Sequence, residues 1–231
     1  QAEWARGDWQ FNGGLRRSHV SFKVDDRYLS NGNDGGRVEY NKTTPTVGAL
    51  YRLTPAVNVY ASAARGFEAP SFGELFYSGP GGTFSYSLKP AQSTHLETGL
   101  KAYVGADSRM DLALFQIDTR DELVVDSSSG GRTSYRNAGR TQRRGLELGL
   151  DSRWQGGLSS RLAYTYLDAR YDEAFTTSGG TVVSAGKRLP GIAEHNLYAD
   201  LTWRHAPSGF YAGVEGLVRG RMQVEDTNTQ Q

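Results

Sequence analysis

An all-β chain, folded as an antiparallel up-and-down transmembrane β-barrel, is the architecture that the 231-residue sequence predicts. Apolar and polar residues alternate over segments of about ten residues, the period of a strand with hydrocarbon on one face and water on the other. The connections alternate too, with tight turns at one end of each hairpin and long polar loops at the other, as expected when the two ends lie on opposite sides of a membrane. No run approaches the roughly 18 apolar residues of a membrane helix. Gly 29 and Tyr 13 against only 7 Pro suit many strands joined by turns.

The clearest hairpin spans residues 144–166. Leu146, Leu148, Leu150 and Trp154 share one face, and Glu147, Gly149, Asp151 and Arg153 the other. After Gly156-Gly157, Leu162, Tyr164 and Tyr166 continue the apolar face, opposed by Arg161, Ala163 and Thr165. Upstream, residues 9–23 predict a strand of poor alternation, 25–37 a loop rich in Asp, Asn, Gly and Ser, and 38–53 a returning strand. Thr54-Pro55-Ala56 turns into a strand over 57–65. Residues 66–93 predict a long loop with its own aromatic packing. Strands follow over 94–104 and, after a short turn, over 109–126, long for a strand. A turn at 127–131 leads into the hairpin above. Beyond it come a polar loop over 168–189, strands over 195–204 and 210–219 joined by a tight turn, and a polar tail over 224–231.

Composition narrows the function classes. An apolar share of 37% is low for helical spans and sufficient for strands that are apolar at alternate positions. Zero cysteines exclude disulfides and thiolate metal sites. With 26 basic and 25 acidic residues spread along the chain there is no footprint for nucleic acid. Residues 1–6 have no apolar core, so no signal peptide is expected there. His19, His95, His195 and His205 lie on separate elements without metal-ligand spacing, and no catalytic motif stands out. The expectation is therefore no enzyme, no bound metal and no cofactor.

Four stretches resemble the barrel domain of TonB-dependent outer-membrane receptors. YASAARGFEAPSFGEL (60–75) is similar to the family's strand and loop with a Gly-Phe-x-Ala-Pro core, and SLKPAQSTHLETGLK (87–101) to its Leu-Lys-Pro segment and Glu-x-Gly-Leu-Lys strand. YRNAGRTQRRGLEL (135–148) resembles its Asn-x-Gly and Gly-x-Glu hairpin, and Leu189-Pro190-Gly191 with His195 the opening of a later strand. Ala91 and Ala193 depart from the acidic residue and the proline of that pattern. The resemblance implies that residues 1–231 are part of a barrel of roughly 22 strands. The family's plug domain, which contacts the TonB complex, and its C-terminal strands are expected to be absent from this stretch. It also implies residence in the cell outer membrane, contact with the lipid bilayer, and active uptake of a metal-chelate ligand, with a ferric siderophore as the favoured cargo. A passive porin-like channel is the alternative, and an outer-membrane hydrolase a more distant one.

The candidate residues fall into three groups. Glu97 and Glu147 are inward positions flanked by outward leucines, at similar distances from short turns, and the resembling receptors set plug arginines against such glutamates. Phe72, Phe76, Tyr77, Phe84 and Tyr86 crowd one long loop and are candidates for ligand contact or for loop packing. Arg153, Arg161 and Arg219 face water, as an electropositive path for an anionic cargo or as solvated partners of nearby acids.

Overall fold

The computed structural model describes residues 1–231 except 28, 29, 31, 80–82 and 231, so parts of the loops over 25–37 and 66–93 and the last residue of the tail lie outside the described residues. The strands are β1 (Ala2–Arg6), β2 (Trp9–Val24), β3 (Gly36–Thr54), β4 (Val57–Glu68), β5 (Ala91–Val104), β6 (Ser108–Arg120), β7 (Leu123–Ser129), β8 (Arg132–Asn137), β9 (Arg140–Arg153), β10 (Leu158–Tyr171), β11 (Phe175–Thr176), β12 (Val182–Val183), β13 (His195–Arg204) and β14 (Tyr211–Arg219). Ten of them form one antiparallel meander, β1-β2-β3-β4-β5-β6-β9-β10-β13-β14. The hairpins β7-β8 and β11-β12 are separate two-stranded sheets inserted in the long connections.

The register sorts every side chain to one of two faces. Trp9, Phe11 and Leu15 of β2 lie beside Tyr51, Ala49 and Pro45 of β3. Leu112 and Leu114 of β6 lie beside Leu148 and Leu146 of β9, which in turn meet Tyr164 and Tyr166 of β10. Together these make an apolar belt. Its edges carry aromatic residues, Trp9, Tyr51, Trp154 and Trp203 toward the short turns and Tyr164 and Tyr166 toward the loops. Amphipathic rings prefer such borders because one end is apolar and the other can hydrogen-bond. Trp203 donates to the Gly156 carbonyl at 3.0 Å, and Tyr164 pairs with His195 Nδ1 at 2.9 Å.

The opposite face is polar, and the chain folds loops onto it. Phe22 and Val38, from this face of β2 and β3, pack against the buried trio Leu75, Phe84 and Leu88, while the Tyr40 hydroxyl donates to the Leu88 carbonyl at 2.9 Å. That loop cover identifies the polar face as the barrel interior.

Several expectations shift in detail. A strand not read from the sequence, β1, precedes the first turn, where Gly7 has φ 59° and supplies the left-handed backbone the turn needs. The long strand over 109–126 is in fact two elements. Asp121 at φ 55° ends β6, and β7 turns away to pair with β8. Apolar alternation continues through this break, so the pattern alone does not reveal it. β5 begins at Ala91, not 94, β4 runs to Glu68, and β10 runs to Tyr171. The loop after β10 is not merely polar, since Tyr171, Phe175, Val183 and Leu189 form a small core with Ala138 and Ala169.

Leu148 lies between Leu112 and Tyr164 on the lipid-facing side, and Leu201 is 42% exposed beside Val214. Leu148→Arg or Leu201→Arg is expected to cost roughly 2 to 4 kcal/mol near the bilayer midplane. Urea unfolding of the intact protein in lipid vesicles measures this, and a loss near zero in both would contradict the facing assigned here.

Candidate functional site

On the interior wall, Glu97 and Glu147 share one patch across β5, β6 and β9. Glu97 stands opposite Phe115 of β6 and Glu147 opposite Ala113, two residues apart on the same strand. Each glutamate is also one residue from the last leucine of the lipid belt, Leu96 or Leu146, so both lie at the same membrane depth. A two-residue offset over two strand steps is strand tilt, about 35° from the usual spacings. The backbone separation is therefore about 12 Å, longer than the roughly 10 Å of a level pair.

The glycines of the two motifs explain why the acids stand clear. A Cβ on Gly99 would collide with the Leu112 carbonyl and sit 2.8 Å from the Tyr60 ring; one on Gly145 would meet the Phe115 ring at 2.5 Å. Each glycine lies two residues from its glutamate on the same face, and each seats an aromatic from the neighbouring strand, which covers the bare backbone. The seated Tyr60 donates to Glu97 Oε1 at 2.7 Å, and Lys101 lies 5.6 Å from the same ring. Glu147 is exposed. The site thus offers one carboxylate fixed by a phenol and a second open to the interior, at a spacing that admits a cationic group between them.

At the loop end, Ser71 caps a short helix, α1 (Phe72–Leu75), through a reciprocal capping box with Glu74. This turn places Leu75 inward, fully buried, and Phe72 and Phe76 outward. Phe72 contacts Phe22, Phe76 and Phe84, and Phe84 contacts Tyr86 at 4.9 Å between centroids. Phe84 is buried and serves packing. Phe72, Phe76 and Tyr86 remain accessible, and Tyr77, at φ 61°, carries Arg132 of β8 over its ring at 4.9 Å.

The three arginines do not form one path. Arg153 and Arg161 lie together near the short turns, where Arg161 is paired with Asp151 at 2.7 Å. Arg219 stands on β14 opposite Asn196, toward the loop end. The local charge near the turns is mixed, since Arg109 pairs with Asp111 at 3.0 Å and Asp200 also lines the groove.

Sequence reasoning missed Tyr60, although its inward position follows from the alternation of β4. It also missed the Arg143–Glu122 fork, with contacts of 2.9 and 3.1 Å, into which Thr141 donates at 2.8 Å. Glu122 lies just past the unexpected break at Asp121, so no pattern pointed to it.

The whole chain, residues 1–231, matches the family model described as TonB dependent receptor-like, beta-barrel. The chain belongs to the TonB-dependent receptor family, whose members are outer-membrane β-barrel transport receptors. It is 26% identical over 199 residues to the metal-pseudopaline receptor CntO of Pseudomonas aeruginosa (strain UCBPP-PA14), covering 81% of this chain and 25% of that protein. The vitamin B12 transporter BtuB of Photobacterium profundum is 27% identical over 169 residues, covering 71% of this chain and 24% of the relative. Among solved structures, the copper transporter OprC superposes with TM-score 0.74 at 21% identity, over 97% of this chain and 34% of its own. The ferric-catecholate import receptor Fiu from E. coli K12 gives 0.67 at 21% identity, over 94% and 32%. The chain spans about a quarter of the length of these curated relatives.

The tail after β14 supplies a pH test. Hydrogen bonds from the Thr227 hydroxyl, with the N–H groups of Thr229 and Thr227, outweigh desolvation and hold the Glu225 carboxyl down at about 2. A depressed carboxyl stabilises the fold above its ordinary value of 4.5, and that contribution is lost as pH falls toward about 2. Amide protection of Thr227 and Thr229 is expected to fall across this window and to lose its dependence on Glu225 ionisation in Glu225→Gln. Equal profiles in both proteins would refute the assignment.

Proposed function

We propose that this chain is the barrel-wall portion of an outer-membrane receptor that actively imports a scarce metal chelate, with a ferric siderophore as the favoured cargo and the TonB complex as energy source. The observation that carries the reading is the interior pair Glu97 and Glu147 at equal depth, each beside a glycine that seats a neighbouring aromatic. Two carboxylates about 12 Å apart gain nothing from each other. Cationic side chains of a plug domain inserted between them would form directional charge-assisted bonds in a space shielded from bulk water. A passive channel has no use for such a fastening. The family membership supports transport, and the metal, siderophore and vitamin names of the similar proteins support a chelate as cargo.

The accessible rings of Phe72 and Phe76, displayed on α1 and its C-cap, together with Tyr86 beside Phe84, form the cargo-facing surface. The loop over 168–189, with its own packed core, forms a second contact. Arg132, held over Tyr77, places a cation beside the first of these surfaces, suited to carboxylate or catecholate oxygens.

Two expected outcomes follow. In the intact receptor, Glu97→Gln combined with Glu147→Gln should loosen the plug, read as faster hydrogen exchange or earlier urea unfolding of the plug at unchanged barrel stability; an equally stable plug would remove these residues from the site. A deletion strain should fail to grow on one iron source when iron is limiting. Complementation with Phe72→Ala and Phe76→Ala should restore assembly and leave growth on that source impaired. Normal growth of the deletion strain on every ferric source, with a defect on copper or vitamin B12 instead, would replace the siderophore as cargo.

A further inference from the structure

The two rims of the apolar belt differ in charge. From β2 to β13 the outward residues nearest the short turns are uncharged, among them Trp9, Tyr51, Val57, Val104, Ser152 and Trp203. At the loop rim the first outward residues past the belt include Arg17, Arg65 and Arg144, and Arg120 of β6 stands directly opposite Arg140 of β9 one step farther up. Like charges so placed repel each other. Arg140 is relieved by Glu173 at 2.8 Å and Asp172 at 3.7 Å, whereas among the described residues Arg65, Arg120 and Arg144 have no carboxylate partner.

These cations border a cleft of about 350 Å³ that lies where the wall loosens. β3 pairs with β4 only as far as Thr46 opposite Ala64, although β3 continues to Gly36 beside β2 and β4 continues to Glu68 beside β5. The next position on β3 is Pro45, which has no N–H to donate to a neighbour. Lys42 reaches across the gap and donates to the side-chain carbonyl of Gln92. Arg65, Thr94, Arg120 and Arg140 line the cleft with them. One acid, Asp118, stands among these residues, and its oxygens accept from the Gln116 and Gln142 amides at 2.8 and 2.7 Å. The arginines around it therefore keep their N–H donors free for an anion.

We propose that this cleft binds the phosphate of a lipid in the outward leaflet whose headgroup is a phosphorylated sugar. The proposal rests on the outer-membrane placement of the chain, which sets the loop rim in that leaflet. Position selects a lipid, because Leu96, Leu114 and Leu146 end the belt just below the cleft. Acyl chains can lie along these leucines while the headgroup meets the arginines. Guanidinium groups hold phosphate oxygens through paired N–H donors, and the amide of Gln92 and the hydroxyl of Thr94 suit sugar hydroxyls. A phosphate between Arg120 and Arg140 also removes their mutual repulsion.

The test uses the full-length receptor in detergent micelles, with lipid A as probe and native mass spectrometry as readout. It needs no cargo, so its failure leaves the transport reading standing. Lipid A should bind, and Arg65→Gln combined with Arg120→Gln and Arg144→Gln should weaken binding roughly a hundredfold, at about fivefold per arginine. Lipid A treated with phosphatase should lose about as much affinity on the unaltered receptor. Lysine at the same three positions keeps the charge and should hold binding within about fivefold, which guards against a glutamine variant that fails to assemble. Arg6→Gln removes an outward cation beside Trp9 at the opposite rim and should leave binding unchanged. Equal binding by the unaltered receptor and the glutamine variant, equal binding of the dephosphorylated lipid, or an equal loss in Arg6→Gln would overturn the proposal. So would release of the lipid by excess inorganic phosphate, which would make the cleft a site for a free anion.

Discussion

Everything in this chain depends on the pairing of backbone N–H and C=O groups inside hydrocarbon, where an unpaired group costs several kcal/mol. Ten strands satisfy the requirement with their neighbours in an uninterrupted meander, and the continuity of the register from β1 to β14 is the direct result. Because the pairing fixes which side chains are level, it also fixes the two faces. A one-residue slip anywhere would turn an entire strand's leucines toward water. The same requirement applies to the outer edges of β1 and β14, which pair on one side only among the described residues and need strand partners to remain in a bilayer.

The strand tilt that closes a barrel is already visible in the positions where the lipid belt ends. The first polar outward residue of each strand steps along the register as one crosses the sheet, from Arg17 through Arg65 and Arg144 to His195. Tilt brings Glu97 and Glu147 to one depth although their register partners differ. Placing them required both facts at once, the facing from alternation and the height from the belt. The glycines Gly99 and Gly145 then decide what the acids can reach, since any larger residue would displace Tyr60 or Phe115.

How much of this was legible beforehand follows from what each pattern encodes. The membrane strands after β1 were legible because a period of two is imposed by the bilayer itself, and residues 144–166 display it on both arms. The tight turns were legible through Gly and Pro. The break at Asp121 was not, because apolar residues continue from β6 into β7 and the strand there changes partner without changing pattern. The aromatic crowding at 72–86 announced a packed loop. It did not separate Phe84, which is buried, from Phe72 and Phe76, which are accessible, because that division is made by the α1 turn and its capping box. The alternation of each strand puts Arg153, Arg161 and Arg219 on the polar face, but the pairing of Arg161 with Asp151 depends on a neighbour across strands and cannot be read along one of them.

The loops show the opposite economy to the wall. In the wall the residues of the inner strands answer to two strand neighbours, and structure propagates from pattern. In the loops a few polar side chains stand in for missing strands: Asn137 on Lys89, Asn228 on Arg188, and Thr141 with Arg143 on Glu122. Such contacts are individually worth about 1 to 3 kcal/mol, far less than a ladder of paired strands, yet each closes over a small apolar core that would otherwise face water. Order in the loops rests on these few contacts and the apolar cores beneath them, whereas order in the wall rests on strand pairing. That difference, whether the backbone is paired by strands or by side chains, divides the molecule into a strand-paired wall and side-chain-fastened covers without any change of domain.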